Sequence, residues 1–325
     1  MEKRSIQSTG GASFTITLPK EWIIKNNIKQ KDNVNVYVKP TGSLVIQPPK
    51  AIERKMKKII WIDKLNNEEI KRELIALYIL GVDEVEVRGK AINQASRLEI
   101  KKAVQLLAGF EIIEESSKNM ILKNLFNLEK FSVHEGIEKM FIMAFSMFDD
   151  AIKAFIRNDV AVAIDIKERD FEVDKFFFLV LRQYHSLINE IVSEEDLRLD
   201  LKDAHYFENI ARQLERIADH AVKISQQVIW GKVNKNKDLN SLIQKTSKKI
   251  LFFLKEAMKF TKEIDKEKSH NTLNKIKNTN KDTKLLLDKI IQKNCTEAVT
   301  VVDSLIRLRR YISNMAELTI DRALD

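Results

Sequence analysis

Glycine and proline are spread unevenly along this chain, and that asymmetry constrains the fold more than any motif does. All four prolines (Pro19, Pro40, Pro48, Pro49) lie in the first 50 residues, and six of the eight glycines precede residue 110. The remaining 215 residues carry only Gly136 and Gly231. Turn-rich structure therefore comes first and long helices come last. At 325 residues the chain exceeds one average core, so two or three domains are expected. The fold class that follows is multidomain α+β, with an all-α tail.

Residues 1–50 read as short strands around a short helix. "FTITLP" alternates and is β-branched, and "NVNVYVKPTGSLVIQPP" reads as a hairpin with Val34, Val36 and Val38 on one face and a Pro-Thr-Gly turn. Between them "PKEWIIKNN" starts a helix, with Pro19 suited to its first turn. Fifty residues make a marginal lone core, which predicts a homodimer.

Residues 51–125 form a small α/β domain in this reading. "MKKIIWID" and "VDEVEVRG" read as strands, and "FEIIEES" and "NMILKNL" as two more around a Ser-Ser-Lys turn. Helices fall on "NNEEIKRELIALYILG", capped by Asn66 or Asn67 and stopped by Gly81, and on "INQASRLEIKKAVQLLAG", ending at Gly109.

Residues 126–325 read as helical throughout. "SVHE" (Ser132 to Glu135) is a capping-box pattern, followed by Ile137, Phe141, Ala144, Phe145, Phe148, Ile152 and Phe155 at helical spacing. Phe207, Ile210, Leu214, Ile217, Ala221, Ile224 and Val228 step by three and four up to Gly231. An internal repeat runs through the tail. "DDAIKAFIRND" (149–159) resembles "KEAMKFTKEID" (255–265), "IKERDFEVDKFFF" (166–178) resembles "IKNTNKDTKLLLD" (276–288), and "LERIADHAVKI" (214–224) resembles "LRRYISNMAEL" (308–318). Two three-helix units, about 132–231 and 236–325, are expected around a pseudo-twofold axis.

Carboxylates stand out within the first unit. Val160, Ile164, Phe171, Phe178, Leu181 and Ile188 define an apolar arc on the second helix, and Asp170 and Asp174 fall inside it. Glu215 and Asp219 sit four apart, where like charges repel, at the border of the third helix's apolar arc. Uncompensated carboxylates facing a core cost several kcal/mol. An arginine, a proton or a metal should neutralise them. The simplest arrangement pairs Arg212 with Glu215 and Asp219 with Lys223 along one helix.

Residues 126–325 resemble the PhoU family, phosphate-uptake regulators built from two three-helix repeats. "Asp170-Phe-Glu-Val-Asp174" and "Glu215-Arg-Ile-Ala-Asp219-His220" match its Glu/Asp-x-x-x-Asp motif. That resemblance implies an iron or zinc site at Asp170, Asp174, Glu215 and Asp219, with a phosphate ABC transporter component or a signalling protein as partner. The second repeat departs from the motif: the same positions hold Asn280, Lys284, Arg309 and Ser313. A metal cluster is not expected there, and the basic residues could instead take an anion.

The head is basic. Residues 1–57 hold eleven Lys/Arg against four Asp/Glu, a net +7 of the chain's +9. Such a surface suits a phosphate backbone. "TLPKEW" (17–22), "KQKDNVNV" (29–36) and "GSLVI" (42–46) resemble the AbrB/MazE-like swapped-hairpin domain (SpoVT-AbrB), which implies dimerisation and DNA contact. No arginine follows the glycines in "GGASFT", so Arg4, Lys20 and Lys25 must supply the cations. A head used only for dimerisation is the alternative. The order of parts resembles archaeal PhoU-like regulators.

Other classes are disfavoured. The lone Cys295 permits no intrachain disulfide and no thiolate zinc cage, and "MEKRSIQSTGG" lacks an apolar signal core, so a cytoplasmic home is expected. No window suits a membrane span. P-loop, GxGxxG, nucleophile elbow and HExxH are all missing, and "Glu267-Lys-Ser-His270" is a lone Glu-x-x-His, so catalysis has no positive support. A hydrolase built on the four carboxylates would lack a nucleophile and an acid–base partner.

Overall fold

The computed structural model describes residues 3–11, 13–38, 42–48 and 56–325. The chain divides into two compact units, Met1–Lys55 and Met56–Asp325.

In the first unit β1 (Gln7–Thr9) pairs antiparallel with β2 (Ser13–Thr15), α1 (Lys20–Lys25) follows, and β3 (Asn35–Val38) pairs antiparallel with β4 (Leu44–Gln47). The hairpin register sets Val36 opposite Ile46. Pro19 caps α1 from outside, with extended backbone at ψ 129, instead of occupying its first turn. The residue before the helix must leave the helical region, and a proline at φ −61 does so without strain. Of the expected Pro-Thr-Gly turn, Pro40 and Thr41 lie outside the described residues, as does the expected boundary at 50/51. None of the described residues here is buried: Ile6 is 70% exposed, Phe14 75%, Ile24 64% and Val38 74%.

The second unit opens with an α/β layer. Its elements are β5 (Lys57–Trp61), α2 (Asn67–Ile79), β6 (Glu84–Arg88), α3 (Gln94–Leu106), β7 (Phe110–Glu115) and β8 (Asn119–Asn124). The sheet order is β5-β6-β8-β7, with β5 parallel to β6 and the other pairings antiparallel. Asn66 caps α2 in a reciprocal box with Glu69, and Gly81 follows it at φ +89, a left-handed conformation that glycine adopts without strain. Ile60, Val85, Val87, Met120 and Leu122 alternate along the strands and bury against Ile70, Leu74 and Tyr78 of α2 and Ile100 of α3.

Helices then run to the C-terminus: α4 (Val133–Arg157), α5 (Val160–Ile188), the short α6 (Glu194–Leu197) and α7 (Leu201–Ile229), then α8 (Lys237–Glu263), α9 (Lys266–Ile276), α10 (Thr279–Lys293) and α11 (Val299–Leu324). Helices α4, α5 and α7 make one triplet. In the other, α8 and α11 flank a middle rod broken at Lys277–Asn278 into α9 and α10. Ser132 caps α4 by accepting from the Glu135 amide. The periodic residues of α4 and α7 are buried as expected, with Phe145 half-buried at the margin.

Polar bridges at a spacing of seven hold α7 against α11. Tyr206 and Thr319 share a hydrogen bond of 2.9 Å, Asn314 donates to Gln213 Oε1 at 3.2 Å, and His220 Nδ1 lies 3.0 Å from Ser304 Oγ. Tyr206, Gln213 and His220 are all buried. Polar groups at these depths must find each other, so this ladder sets the register between the two triplets.

The expected apolar arc of α5 is the main correction to the fold. Of its six residues only Leu181 is buried; Val160, Ile164 and Ile188 are exposed. The bundle instead takes Ala163, Ile166, Val173, Phe177, Val180 and Leu187. Phe171 and Phe178 are half-buried against the α/β core. Helix α5 therefore has two apolar faces, and a single projected arc averaged them.

Candidate functional site

Helices α5 and α7 pack along the first triplet. The spacing of four places Asp170 and Asp174 on one side of α5, and Glu215 and Asp219 on one side of α7. All four are half-buried. Their fields overlap. Asp170 feels Asp219, Asp174 feels Asp170, Glu215 and Asp219, and Glu215 feels Asp219 and Asp170. Burial first, and these neighbours second, push the Asp170 carboxyl up to about 6, Asp174 to about 7 and Glu215 to about 7.

The expected ion pairs along α7 do not form. Arg212 turns to Glu208, one turn N-terminal to itself, and its guanidinium lies 5.7 Å from the Phe177 ring centroid. Burial and the two aspartates raise the Glu215 carboxyl, and Arg216 and then Arg212 oppose them without outweighing them. Among the described residues, no Lys or Arg comes within salt-bridge distance of Asp170, Asp174, Glu215 or Asp219. The arginine option is therefore removed, and a proton or an external cation remains. Lys71 of α2 acts weakly on Asp174, which places the cluster beside the α/β layer. Nothing in the sequence marks Lys71 for that position.

The four carboxylates offer only hard oxygen donors, a set that fits a cation by its chemistry. Among the described residues, however, no group of three or more His, Cys, Asp or Glu is arranged to hold a metal ion. His220 is excluded as a further ligand. Its Nδ1 meets Ser304 and its Nε2 lies 3.3 Å from the Tyr311 hydroxyl, so both ring nitrogens are engaged. His270 is exposed within α9.

A second feature joins the triplet to the α/β layer. Arg182 of α5 is 1% exposed. It donates to the carbonyls of Tyr78 at 2.6 Å, Val82 at 3.0 Å and Gly81 at 3.4 Å, reaches Asp83 at 3.3 Å, and lies 4.8 Å from the Tyr78 ring centroid. Tyr78 lies in the last turn of α2 and Gly81 and Val82 just after it, at the helix end where a cation is favoured by the dipole. The only signal in the sequence was an arginine in an apolar run.

On the first unit, Arg4, Lys20 and Lys25 are exposed. Lys3 and Arg4 line a shallow groove with Gln7, Thr15 and Thr17. Lys20 and Lys25 stand at opposite ends of the six-residue α1 and do not share one face.

A doubled three-helix bundle with an acid cluster on one triplet only, preceded by an α/β layer and a basic strand-and-helix head, is the class this architecture defines. Residues 137–228 match the PhoU domain model, a span that contains all four carboxylates. Residues 7–54 match the model of the antidote-toxin recognition protein MazE, a bacterial antitoxin. The chain thus carries a PhoU domain and, at its N-terminus, a MazE-like domain. It is 26% identical over 197 residues to the phosphate-specific transport system accessory protein PhoU homolog 1 of Thermotoga maritima, covering 54% of this chain and 80% of that one. The phosphate transport system regulatory protein PhoU of Streptococcus pneumoniae shares the fold, with a TM-score of 0.51 at 16% identity over 58% of this chain and 92% of that one. PhoU of Pseudomonas aeruginosa aligns over 58% of this chain and 94% of its own, with a TM-score of 0.48 at 18% identity. No helix among the described residues is long and apolar enough to cross a membrane.

Proposed function

We propose that this chain is a cytoplasmic, dimeric regulator of phosphate uptake, without enzymatic activity, whose head contacts DNA and whose tail senses phosphate status or a transporter component. The names of its relatives, a phosphate-specific transport accessory protein and a phosphate transport regulatory protein, support the tail's assignment. One observation carries the head's: a unit with a net +6 from Met1 to Lys55 and no buried residue among those described. Such a unit gains a core only by joining a second copy, and the joined surface doubles its positive charge. Asp170, Asp174, Glu215 and Asp219 would have to draw closer together to hold iron or zinc, since no group of three of them is so arranged here, and a bound cation would cancel their mutual repulsion. Elemental analysis and a rise in Tm on adding each metal to chelated protein test that part.

DNA affinity measured against salt tests the rest. Phosphate contacts make log K fall with log salt at a slope of about 0.9 per contact. A specific site whose slope shrinks by about two in the Arg4→Ala, Lys20→Ala double variant supports the reading. The absence of any specific site, with regulation of uptake intact in that variant, overturns it. The outcome then would be a modulator of the phosphate ABC transporter or a signalling partner with a head for dimerisation alone. The lack of an arginine after Gly10–Gly11 and the divided placement of Lys20 and Lys25 favour that alternative.

A further inference from the structure

Among the described residues, strand β5 is an edge of the four-stranded sheet, bonded only to β6. The Met56 carbonyl accepts from β6 and the Ile62 amide donates to it, so the even residues of β5 face their neighbour. The backbone groups of Lys57, Ile59 and Trp61 accordingly point off the free edge. Their side chains share the sheet face that the helices leave open: Ile59 is 50% exposed and Trp61 61%, whereas Ile60 between them is buried. Natural edges are usually shielded by a bulge, a proline or a covering loop. This one is regular over all five residues and carries a tryptophan.

We propose that β5 pairs with β5 of a second copy of this chain, antiparallel and centred on Ile59, so that two sheets become one. That register alone pairs the full strand and keeps the lysines apart. Ile59 meets Ile59 of the other copy, Lys57 meets Trp61, and Lys58 meets Ile60. All three outward residues fall at hydrogen-bonded pairs, exchanging two bonds apiece. Lys57, which pairs with Glu84 at 3.0 Å, then faces an indole instead of a second lysine, so like-charge repulsion across the pair is avoided. Chain connectivity favours the same occupant, since β4 ends at Gln47 and β5 starts at Lys57. Heads joined in a dimer would hold both edges at high effective concentration. Only this tethering argument rests on the dimeric head; the edge itself does not need it.

Disulfide trapping in the full-length chain tests the register, with Cys295→Ser as background. Opposed Cα atoms at a hydrogen-bonded pair lie about 5.5 Å apart, within disulfide reach. Ile59→Cys is expected to give a covalent dimer on mild oxidation. Lys57→Cys and Trp61→Cys are each expected to stay uncoupled alone but to link when the two variants are mixed. Ile59→Asp should leave light scattering unchanged if the heads still join, while the Lys57, Ile59 and Trp61 amides lose hydrogen-exchange protection. A dimer by light scattering in which Ile59→Cys does not link overturns the β5 pairing and spares the dimeric head. A monomer at all concentrations overturns both.

Discussion

The two triplets of the tail share one plan and differ in what is docked on the middle helix. On α5, Phe171 and Phe178 pack into the α/β core and Arg182 ends α2. At the same offset of 110 residues, α10 carries Lys281, Asp288 and Gln292, and Gln292 is exposed. The first rod is therefore apolar on two faces and continuous, while the second is apolar on one and broken at Lys277–Asn278. Charge follows the same division. Four uncompensated carboxylates lie in the first triplet, and in the second Arg309 has a buried Nε without a hydrogen-bond partner beside the repelling charge of Arg310. A duplicated scaffold thus has one half specialised to carry a layer and an acid cluster, and the other left as a simple support.

The largest effect should come from Arg182. Arg182→Ala removes the guanidinium from the Tyr78, Gly81 and Val82 carbonyls, of which Tyr78 keeps the Gly81 amide, and opens a cavity, at a cost of about 3–5 kcal/mol by denaturant titration. Gln292→Ala, its counterpart, should stay within about 0.5 kcal/mol. Equal costs would break the comparison.

The acid cluster comes next. In metal-free protein at pH 8, Asp174→Asn should stabilise by about 1–2 kcal/mol, because it removes one of several repelling, desolvated charges. The sign follows from a folded-state pKa of about 7 against the ordinary 3.8. The destabilisation is absent below about pH 4, where both states hold the proton, grows as pH rises, and is complete above about 7. The gain on mutation should therefore hold steady from pH 8 to about 7 and shrink from there toward pH 4. A gain independent of pH would show that burial and the neighbouring carboxylates do not raise the Asp174 carboxyl. Lys284→Asn in the second triplet should show no such pH dependence.

The smallest effect sharpens the contrast from the other side. Lys249 bonds Asp282 at 2.9 Å across the surface of the second triplet. Lys249→Ala should cost no more than about 0.5 kcal/mol, less still in high salt.

Local rules made much of this architecture readable. The Asn66 cap, the stops at Gly81 and Gly231, the alternation in Val85 and Val87 and the three-four spacing from Phe207 to Val228 each depend on neighbours within a turn or a strand, and each element formed where its residues placed it. The first unit was readable in outline only. Its strands are short and its apolar residues exposed within a single chain, so little local burial reinforces the pattern.

By itself, the sequence determined most helices and strands from residue 56 on and the doubling of the tail, and it singled out Asp170, Asp174, Glu215 and Asp219 as candidates. Those are properties of period and composition, which act over a few residues. Only the tertiary structure decided that Arg212 leaves Glu215 for Glu208, that α5 serves two cores, and that Arg182 locks α2 to the bundle. A side chain chooses among several possible partners by which is nearest and least hydrated, and that choice exists only once distant elements have packed.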